Sequence, residues 1–220
     1  MSTATILDRD FLERLPGNST LILRDVSWDD YESLLAAVGE TAGVRISYDE
    51  GTLQIMTLSP KHESYGRLLE RLVDRLSVRL GVEIVSFGSS TIRRKGRRKG
   101  TEPDACFYVQ SAPAIGPRID LDFDRDPPPD IAVEIDVQHD SLGKFSLYAA
   151  MGVPEIWRYD GVALTMHRLE GDHYVLAPAS IAFPVLDAQT LTRFLGIAGE
   201  KSQHEILLAF EEWLGALPRQ

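Results

Sequence analysis

The segment 131–137 constrains the fold more than any other stretch of the chain. It reads IAVEIDV, and in a strand the four β-branched residues would share one face while Ala132, Glu134 and Asp136 share the other. Such a nearly apolar run is typical of a central strand. The pattern therefore predicts a core strand that carries two carboxylates on one face.

Two ionised carboxylates that lie close together and away from water cost free energy through desolvation and mutual repulsion. A raised pKa, a nearby lysine or a metal cation can offset that cost. A divalent cation with oxygen ligands is the simplest compensation. The alternative is an edge strand whose polar face is hydrated, and the segment alone leaves both interpretations open.

A third acid stands at the start of the preceding predicted strand, 104–109. Asp104 follows Pro103, which suits a strand entrance because proline fixes the backbone there. Asp104 precedes Glu134 by 30 positions. If the two strands are neighbours, Asp104 and Glu134 can converge on one ion. Otherwise Asp104 is a turn residue, which is the commoner role of an aspartate after proline.

Further polar residues lie on two predicted helices. Lys144 and Tyr148 are four residues apart, so they share one face of the helix after the acidic strand. His62 and Glu63 lie in the first turn of a long helix with leucines at helical spacing. The alternative for Lys144 and Tyr148 is a solvated helix face from which the lysine extends into water. The alternative for His62 and Glu63 is an ordinary pair of surface residues.

The order of predicted elements indicates one mixed α/β domain over residues 1–220. A helix capped by Ser27 precedes a hairpin at 44–57 and the long helix. Several strands, the Lys144 helix, further strands and a C-terminal helical region broken near 196–199 follow. This order predicts a single mixed layer with a largely central sheet. A content of 44% hydrophobic residues excludes a wholly disordered chain.

The charge of the chain is unevenly distributed. A net charge of −10, from 23 Lys and Arg against 33 Asp and Glu, argues against binding nucleic acid by bulk charge. The segment 93–99 nevertheless carries six cations, so the rest of the chain carries −16: Arg93, Arg94, Lys95, Arg97, Arg98 and Lys99. Such a loop can neutralise several DNA phosphates, and the alternative is a solvated, flexible turn.

The cysteine content, the first residues and the lack of a long apolar run indicate the cellular compartment of the protein. Cys106 is the only cysteine, which excludes an intramolecular disulfide and a multi-cysteine zinc site. Charged residues interrupt the first 15 positions, unlike a secretory signal. No run approaches the roughly 20 apolar residues that span a bilayer. We therefore expect a cytoplasmic protein without a membrane partner.

Taken in order, these motifs resemble the PD-(D/E)XK superfamily of restriction-endonuclease-like nucleases. Pro103-Asp104 is followed by a strand with Glu134 and then by a helix with Lys144. More narrowly, the sequence is similar to the Uma family of restriction endonucleases over roughly residues 46–184. The segments that carry this likeness are 53–63, 102–108, 126–136 and 144–159, the last including GVPEIW.

The resemblance implies an α/β fold with a mixed central sheet flanked by helices and N-terminal hairpin additions. It also implies a Mg²⁺- or Mn²⁺-dependent endonuclease that hydrolyses DNA. Asp104 and Glu134 would be metal ligands, and Glu63 a further ligand. Lys144 would be the cation that assists the nucleophile, with His62 and Tyr148 in supporting positions. A homodimer is implied only by analogy, because related folds often pair.

One position departs from the superfamily pattern. The usual lysine two residues after the glutamate is replaced by Asp136. Asp136 could hold a second ion or orient water, and the lysine would then have moved to Lys144. Otherwise the site is weak or inactive, and the protein is a nuclease-fold module that binds nucleic acid or another partner. A calcium-stabilised structural domain would explain the acids but not Lys144 or the basic segment.

Overall fold

The computed structural model describes residues 11–12, 14–39, 43–137 and 140–217. Most of the N-terminal stretch considered for a signal therefore lies outside the described residues. The helices are α1 (Trp28–Val38), α2 (Pro60–Leu80), α3 (Ala112–Ile115), α4 (Phe145–Met151), α5 (Ala188–Gly196) and α6 (Gln203–Ala216). The strands are β1 (Thr20–Leu23), β2 (Val44–Asp49), β3 (Thr52–Thr57), β4 (Val85–Gly88), β5 (Ile92–Arg94), β6 (Lys99–Thr101), β7 (Ala105–Tyr108), β8 (Ile131–Ile135), β9 (Glu155–Tyr159), β10 (Leu164–Glu170) and β11 (His173–Ala177).

The acidic segment forms β8 in the interior of the larger sheet. Within the described residues this sheet has six strands in the order β11-β10-β9-β8-β7-β4. β8 pairs antiparallel with β7 and parallel with β9. The prediction of a central strand is confirmed, and the edge-strand alternative is wrong. The parallel pairing needs a crossover, which a 3-10 turn at Leu142–Lys144 and α4 provide.

The two faces of β8 pack against different helices, as its alternating pattern predicts. Ile131, Val133 and Ile135 belong to the main hydrophobic core together with residues of α2, α5 and α6. Ala132 belongs to a second cluster with residues of α4. Glu134 shares the face of Ala132 and is only 2% exposed. The fold therefore buries this carboxylate on the side of the sheet that α4 covers.

The predicted hairpin belongs to a second sheet. β2 and β3 pair around a turn in which Glu50 and Gly51 have positive φ angles of 46° and 107°. β1 extends the hairpin on one side and β6 and β5 extend it on the other, in the order β1-β3-β2-β6-β5 among the described residues. The prediction of a single sheet layer was incomplete, because the hairpin pairs with both strands of the basic segment and forms a second sheet.

Side-chain caps fix where the first helices begin. The Ser27 hydroxyl accepts a hydrogen bond from the Asp30 backbone N–H at 3.1 Å, which confirms the predicted cap of α1. The Ser59 hydroxyl accepts from the His62 backbone N–H at 3.2 Å at the start of α2. His62 and Glu63 consequently lie in the first turn of α2, as predicted. No helix in the described ranges is both long and apolar enough to cross a membrane.

The cap of α6 gives a stability prediction. The Ser202 hydroxyl accepts from the Glu205 backbone N–H, and the Glu205 carboxylate accepts from the Ser202 backbone N–H in return. We expect Ser202→Ala to lower the free energy of unfolding by about 1 kcal/mol, measured by chemical denaturation. Ser33→Ala, at an exposed position inside α1, should change it by less than about 0.5 kcal/mol. Equal effects of the two substitutions would contradict the assignment.

Candidate active site

Adjacent strands bring Asp104 and Glu134 together. Ala105 of β7 lies opposite Val133 of β8 in an antiparallel register, and one further step places Asp104 opposite Glu134. The Asp104 backbone N–H donates to the Val133 carbonyl at 2.9 Å, so the pairing extends to this position. Side chains opposite each other on one face have Cβ atoms roughly 4.5–5.5 Å apart. The two acids therefore converge, and Asp104 is not merely a turn residue.

Asp104 is a buried carboxylate with three donors. Its Oδ2 accepts a 2.7 Å hydrogen bond from the Ile135 backbone N–H and lies 3.0 Å from Nε2 of His62. Its Oδ1 accepts from Nε of Arg45 at 3.1 Å. Burial alone would raise the pKa of Asp104, but His62, Lys144 and Arg45 outweigh burial and lower the pKa below its ordinary value. Asp104 is thus held in its ionised form.

Glu134 is held by the two residues predicted on the following helix. Nζ of Lys144 lies 2.9 and 3.1 Å from the two carboxylate oxygens of Glu134, and the Tyr148 hydroxyl donates to one of them. Burial raises the pKa of Glu134 to about 7, although Lys144 opposes the shift. Repulsion from Asp104 contributes to the rise, so the pKa of about 7 is the net result of burial, Lys144 and Asp104 together. The carboxylate is therefore poised between its charged and neutral forms.

Lys144 lies in the 3-10 turn before α4, whereas the sequence predicted it inside the helix. Its Nζ also lies 3.3 Å from the Glu102 carbonyl oxygen. A lysine ammonium has three N–H donors, and these three acceptors account for all of them. In this arrangement Lys144 fixes the orientation of Glu134 and places positive charge beside it.

Asp136 contacts a different set of residues. Its Oδ2 accepts from the backbone N–H and the hydroxyl of Ser141, both at 3.0 Å, and pairs with Nε of Arg158. Asp136 has no hydrogen bond or ion pair to Lys144 among the described residues. These contacts tie the end of β8 to the turn that carries Lys144.

The first turn of α2 lies against the same centre. His62 pairs with Asp104, and Glu63 lies 3.3 Å from Nη2 of Arg45. Glu63 is the most accessible acid of the predicted ligands, with a side chain 40% exposed. Arg45 therefore bridges Asp104 and Glu63, which come from separate elements.

Sequence reasoning missed two residues of this centre. Arg45 lies on the polar face of β2, and its alternation with apolar residues does not distinguish a buried site from a solvated face. Glu102 accepts from the Ile46 backbone N–H and from the Thr91 hydroxyl, both at 2.8 Å. The position of Glu102, directly before the Pro103-Asp104 motif, was the only sequence feature that could have pointed to it. Both residues join the second sheet to the site.

The comparisons with known proteins concern the family and the fold of the chain. The family model Uma2, described as "Putative restriction endonuclease", matches residues 28–198, which is most of the chain. The chain belongs to the Uma2 family. Comparison with the curated proteins found no match.

A solved structure supports the fold of this Uma2-family chain. It is described as a "putative nuclease belonging to DUF820 from Anabaena variabilis ATCC 29413". The two sequences are 17% identical, the match covers 77% of this chain and 99% of the other, and the TM-score is 0.54. At that identity the likeness concerns the fold alone. The predicted restriction-endonuclease-like architecture is confirmed.

A cavity of about 370 Å³ opens onto the candidate site. Its lining comes from β2, the first turns of α2 and the segment 87–91, and it includes Arg45, Glu63, Glu102 and Asp104. Glu134 and Lys144 are absent from that lining. The cavity therefore reaches the centre at Asp104, and Glu134 lies behind it.

The donor set can be tested against a divalent ion. In the described ranges, no group of three or more His, Cys, Asp and Glu side chains could hold a metal ion. Mg²⁺, however, commonly uses only one or two carboxylates together with waters and substrate phosphate. The charged side chains here are Glu63, Glu102, Asp104 and Glu134 against Arg45 and Lys144. Apart from His62, which pairs with Asp104, four carboxylates against two fixed cations leave two negative charges when all four are ionised, and one divalent ion would balance these charges.

The basic segment forms a hairpin, β5–turn–β6, which we call the basic hairpin (residues 92–101). Four of its six predicted cations have partners, and Arg98 in the turn donates to the Tyr48 hydroxyl at 3.3 Å. Arg93 lies 3.5 Å from Glu32, Arg94 donates to the Asp126 carbonyl at 3.0 Å, and Lys99 pairs with Asp49 and Glu50. The exposed cations of the turn are Lys95, Arg97 and Arg98.

Proposed function

We propose that this Uma2-family protein is a divalent-metal-dependent endonuclease that hydrolyses phosphodiester bonds in DNA. The observation that carries the proposal is the convergence of two buried carboxylates, Asp104 and Glu134, beside a cavity with cationic residues. A surface that only binds DNA has no reason to bury acids near phosphate, because they would repel it. Family membership and the fold support a nuclease.

The proposed chemistry divides between the ion and the chain. Mg²⁺ or Mn²⁺ held by Asp104 and Glu134, with Glu63 as a further ligand, would supply an activated water and offset charge on the phosphate. The Ile135 N–H orients Asp104, and neighbouring cations keep it ionised. Lys144 holds both oxygens of Glu134 in place. These contacts orient the donors before the ion and substrate arrive.

Metal-dependent cleavage is the direct test. Supercoiled plasmid and single- and double-stranded oligonucleotides would be incubated at low salt with Mg²⁺, with Mn²⁺ or with chelator. We expect nicking or cutting only in the presence of the ion. If freshly purified protein cleaves no form of DNA with either ion, the proposed activity is wrong. DNA binding without cleavage would favour the alternative, a nuclease-fold module that binds nucleic acid.

The basic hairpin gives a prediction for DNA binding. We expect replacement of Lys95 and Arg97 by alanine to weaken binding and to flatten its salt dependence. Each lost phosphate contact should reduce the slope of log K against log salt by about 0.9. The measurement is fluorescence anisotropy of a labelled duplex across a salt series without divalent ions. Lys99→Ala is the control, because Asp49 and Glu50 already neutralise Lys99. An unchanged slope in the double variant would remove the hairpin from the DNA interface.

Two other features stay proposals. We propose by analogy with related folds that the protein forms a homodimer, and sedimentation of the purified protein tests this directly. We also retain cytoplasmic residence, which fractionation of cells that express the protein would test.

A further inference from the structure

Arg45 occupies an unusual position for a positive charge. Its side chain is 9% exposed, and each of its three nitrogens donates to an oxygen. Nε donates to Oδ1 of Asp104 at 3.1 Å, Nη2 to Oε1 of Glu63 at 3.3 Å, and Nη1 to the Val44 carbonyl at 3.1 Å. A guanidinium does not lose its proton in proteins, so this charge is permanent.

The guanidinium contacts the same oxygens that a divalent ion would need. Oδ2 of Asp104 already accepts from Ile135 and lies against His62. Oδ1 is therefore the oxygen of Asp104 left for an ion, and among the described residues its hydrogen-bond donor is Arg45. Glu63, the further ligand implied by the family resemblance, is engaged by the same side chain. One arginine thus links two members of the proposed ligand set.

We propose that Arg45 is a built-in competitor of the divalent ion. Its single positive charge is shared between Asp104 and Glu63 when no ion is bound, and it must release at least one of them when an ion binds. The cost of that release lowers the affinity of the site for metal. This inference rests on the proposed function, since it concerns the same ligand set. Once released, the guanidinium lies beside the cavity, where it can bind a substrate phosphate in bidentate geometry.

Metal binding without DNA tests the proposal independently of catalysis. Free Mn²⁺ would be measured by electron paramagnetic resonance during titration of the wild-type protein and of Arg45→Gln. We expect the variant to bind Mn²⁺ at least about tenfold more tightly, because removing the bridging cation takes its positive charge away from both Asp104 and Glu63 and frees the Oδ1 atom of Asp104. Arg67→Gln is the matched control. Arg67 lines the same cavity but pairs with Glu70 rather than with a proposed ligand. The Arg67→Gln variant should therefore bind Mn²⁺ with the same affinity as the wild type.

Folding of the variants needs its own readout. Thermal unfolding followed by circular dichroism should show Arg45→Gln less stable than the wild type without metal and more strongly stabilised by Mn²⁺. If Arg45→Gln does not fold, Arg45→Lys replaces it, because an ammonium keeps the charge but cannot bridge both acids with a planar fork. Arg45→Lys should also bind Mn²⁺ more tightly than the wild type.

The outcomes separate this inference from the proposed function. Equal or weaker Mn²⁺ affinity in the Arg45 variants overturns the inference, even if the wild-type protein cleaves DNA. Tighter Mn²⁺ binding in those variants supports it, even if no DNA is cleaved, and in that case the proposed function alone fails. Absence of Mn²⁺ binding in the wild type and in every variant overturns both.

Discussion

Asp104→Asn is expected to lower the rate of metal-dependent DNA cleavage by at least about 100-fold, the size of effect seen when one preorganised electrostatic group is removed from an active site. The asparagine carbonyl can still accept from the Ile135 N–H, so the local backbone should persist. What disappears is the negative charge that a cation needs and that Arg45 and His62 now compensate. The measurement is the initial rate of plasmid nicking at saturating Mg²⁺.

The matched control for this prediction is Asp160→Asn. Asp160 lies in the turn between β9 and β10 and accepts from the backbone N–H groups of Val162 and Ala163, both at 2.8 Å, outside the site. Its replacement should leave the cleavage rate within about twofold of the wild type. Thermal unfolding of both variants checks that they are folded. If folded Asp104→Asn cleaves at the wild-type rate, Asp104 is no part of the catalytic centre.

Lys144→Met is expected to lower the free energy of unfolding by about 3–5 kcal/mol at pH 8, which is the usual cost of breaking a buried ion pair from one side. The substitution keeps the volume of the side chain but leaves Glu134 buried without its cation. Because Lys144 lowers the pKa of Glu134, its removal raises that pKa further above about 7. The measurement is chemical denaturation at several pH values.

The pH dependence of Lys144→Met follows from the direction of this shift. A carboxyl group whose pKa is raised in the folded state favours folding while it is protonated, and that contribution is lost as the pH rises through the folded pKa. The deficit of Lys144→Met should therefore shrink as the pH falls from 8 towards 5.

Two further variants sharpen the same experiment. Adding Glu134→Gln to Lys144→Met removes the unpaired charge and should restore much of the lost stability, with a coupling free energy well above about 1 kcal/mol. Lys201→Met, at an exposed position, should change stability by less than about 0.5 kcal/mol. A loss at Lys144 no larger than at Lys201 would show that the Lys144–Glu134 pair is unimportant for stability.

Part of the candidate site could be predicted from the sequence, because the local pattern of residues fixes which face of a strand or helix each side chain lies on. Alternation within 131–137 placed Glu134 on the face opposite the main core. The spacing of Lys144 and Tyr148 predicted that they act together, and both contact Glu134, although Lys144 lies in the 3-10 turn rather than in the helix. Pro103-Asp104 predicted the start of the neighbouring strand. The observed register then places Asp104 opposite Glu134 on that strand pair. In each case the backbone period fixes the direction of the side chain.

The basic segment shows where the same reasoning fell short. Six cations in seven positions predicted either a DNA-binding loop or a solvated, flexible turn, but the ends of the segment are strands of the second sheet. Pairing with β2 brings Lys99 to Asp49 and Glu50, which are about 50 positions away in sequence. Charge counting along the chain cannot identify such partners, because they are set by the pairing of β2 with β6, and β3, α2, β4 and β5 separate these two strands in the chain.

The sequence by itself determined the central acidic strand, the family resemblance and the local placement of Glu134 and Tyr148, whereas Lys144 lies in the turn before its predicted helix. These follow from backbone periodicity and from ordered motifs, which depend on near neighbours in the chain. Only the tertiary structure decided that Arg45 and Glu102 join the site and that Arg45 bridges Asp104 and Glu63. The physical reason is that burial and charge compensation depend on which distant elements pack together, and alternation in a single strand does not specify its partner.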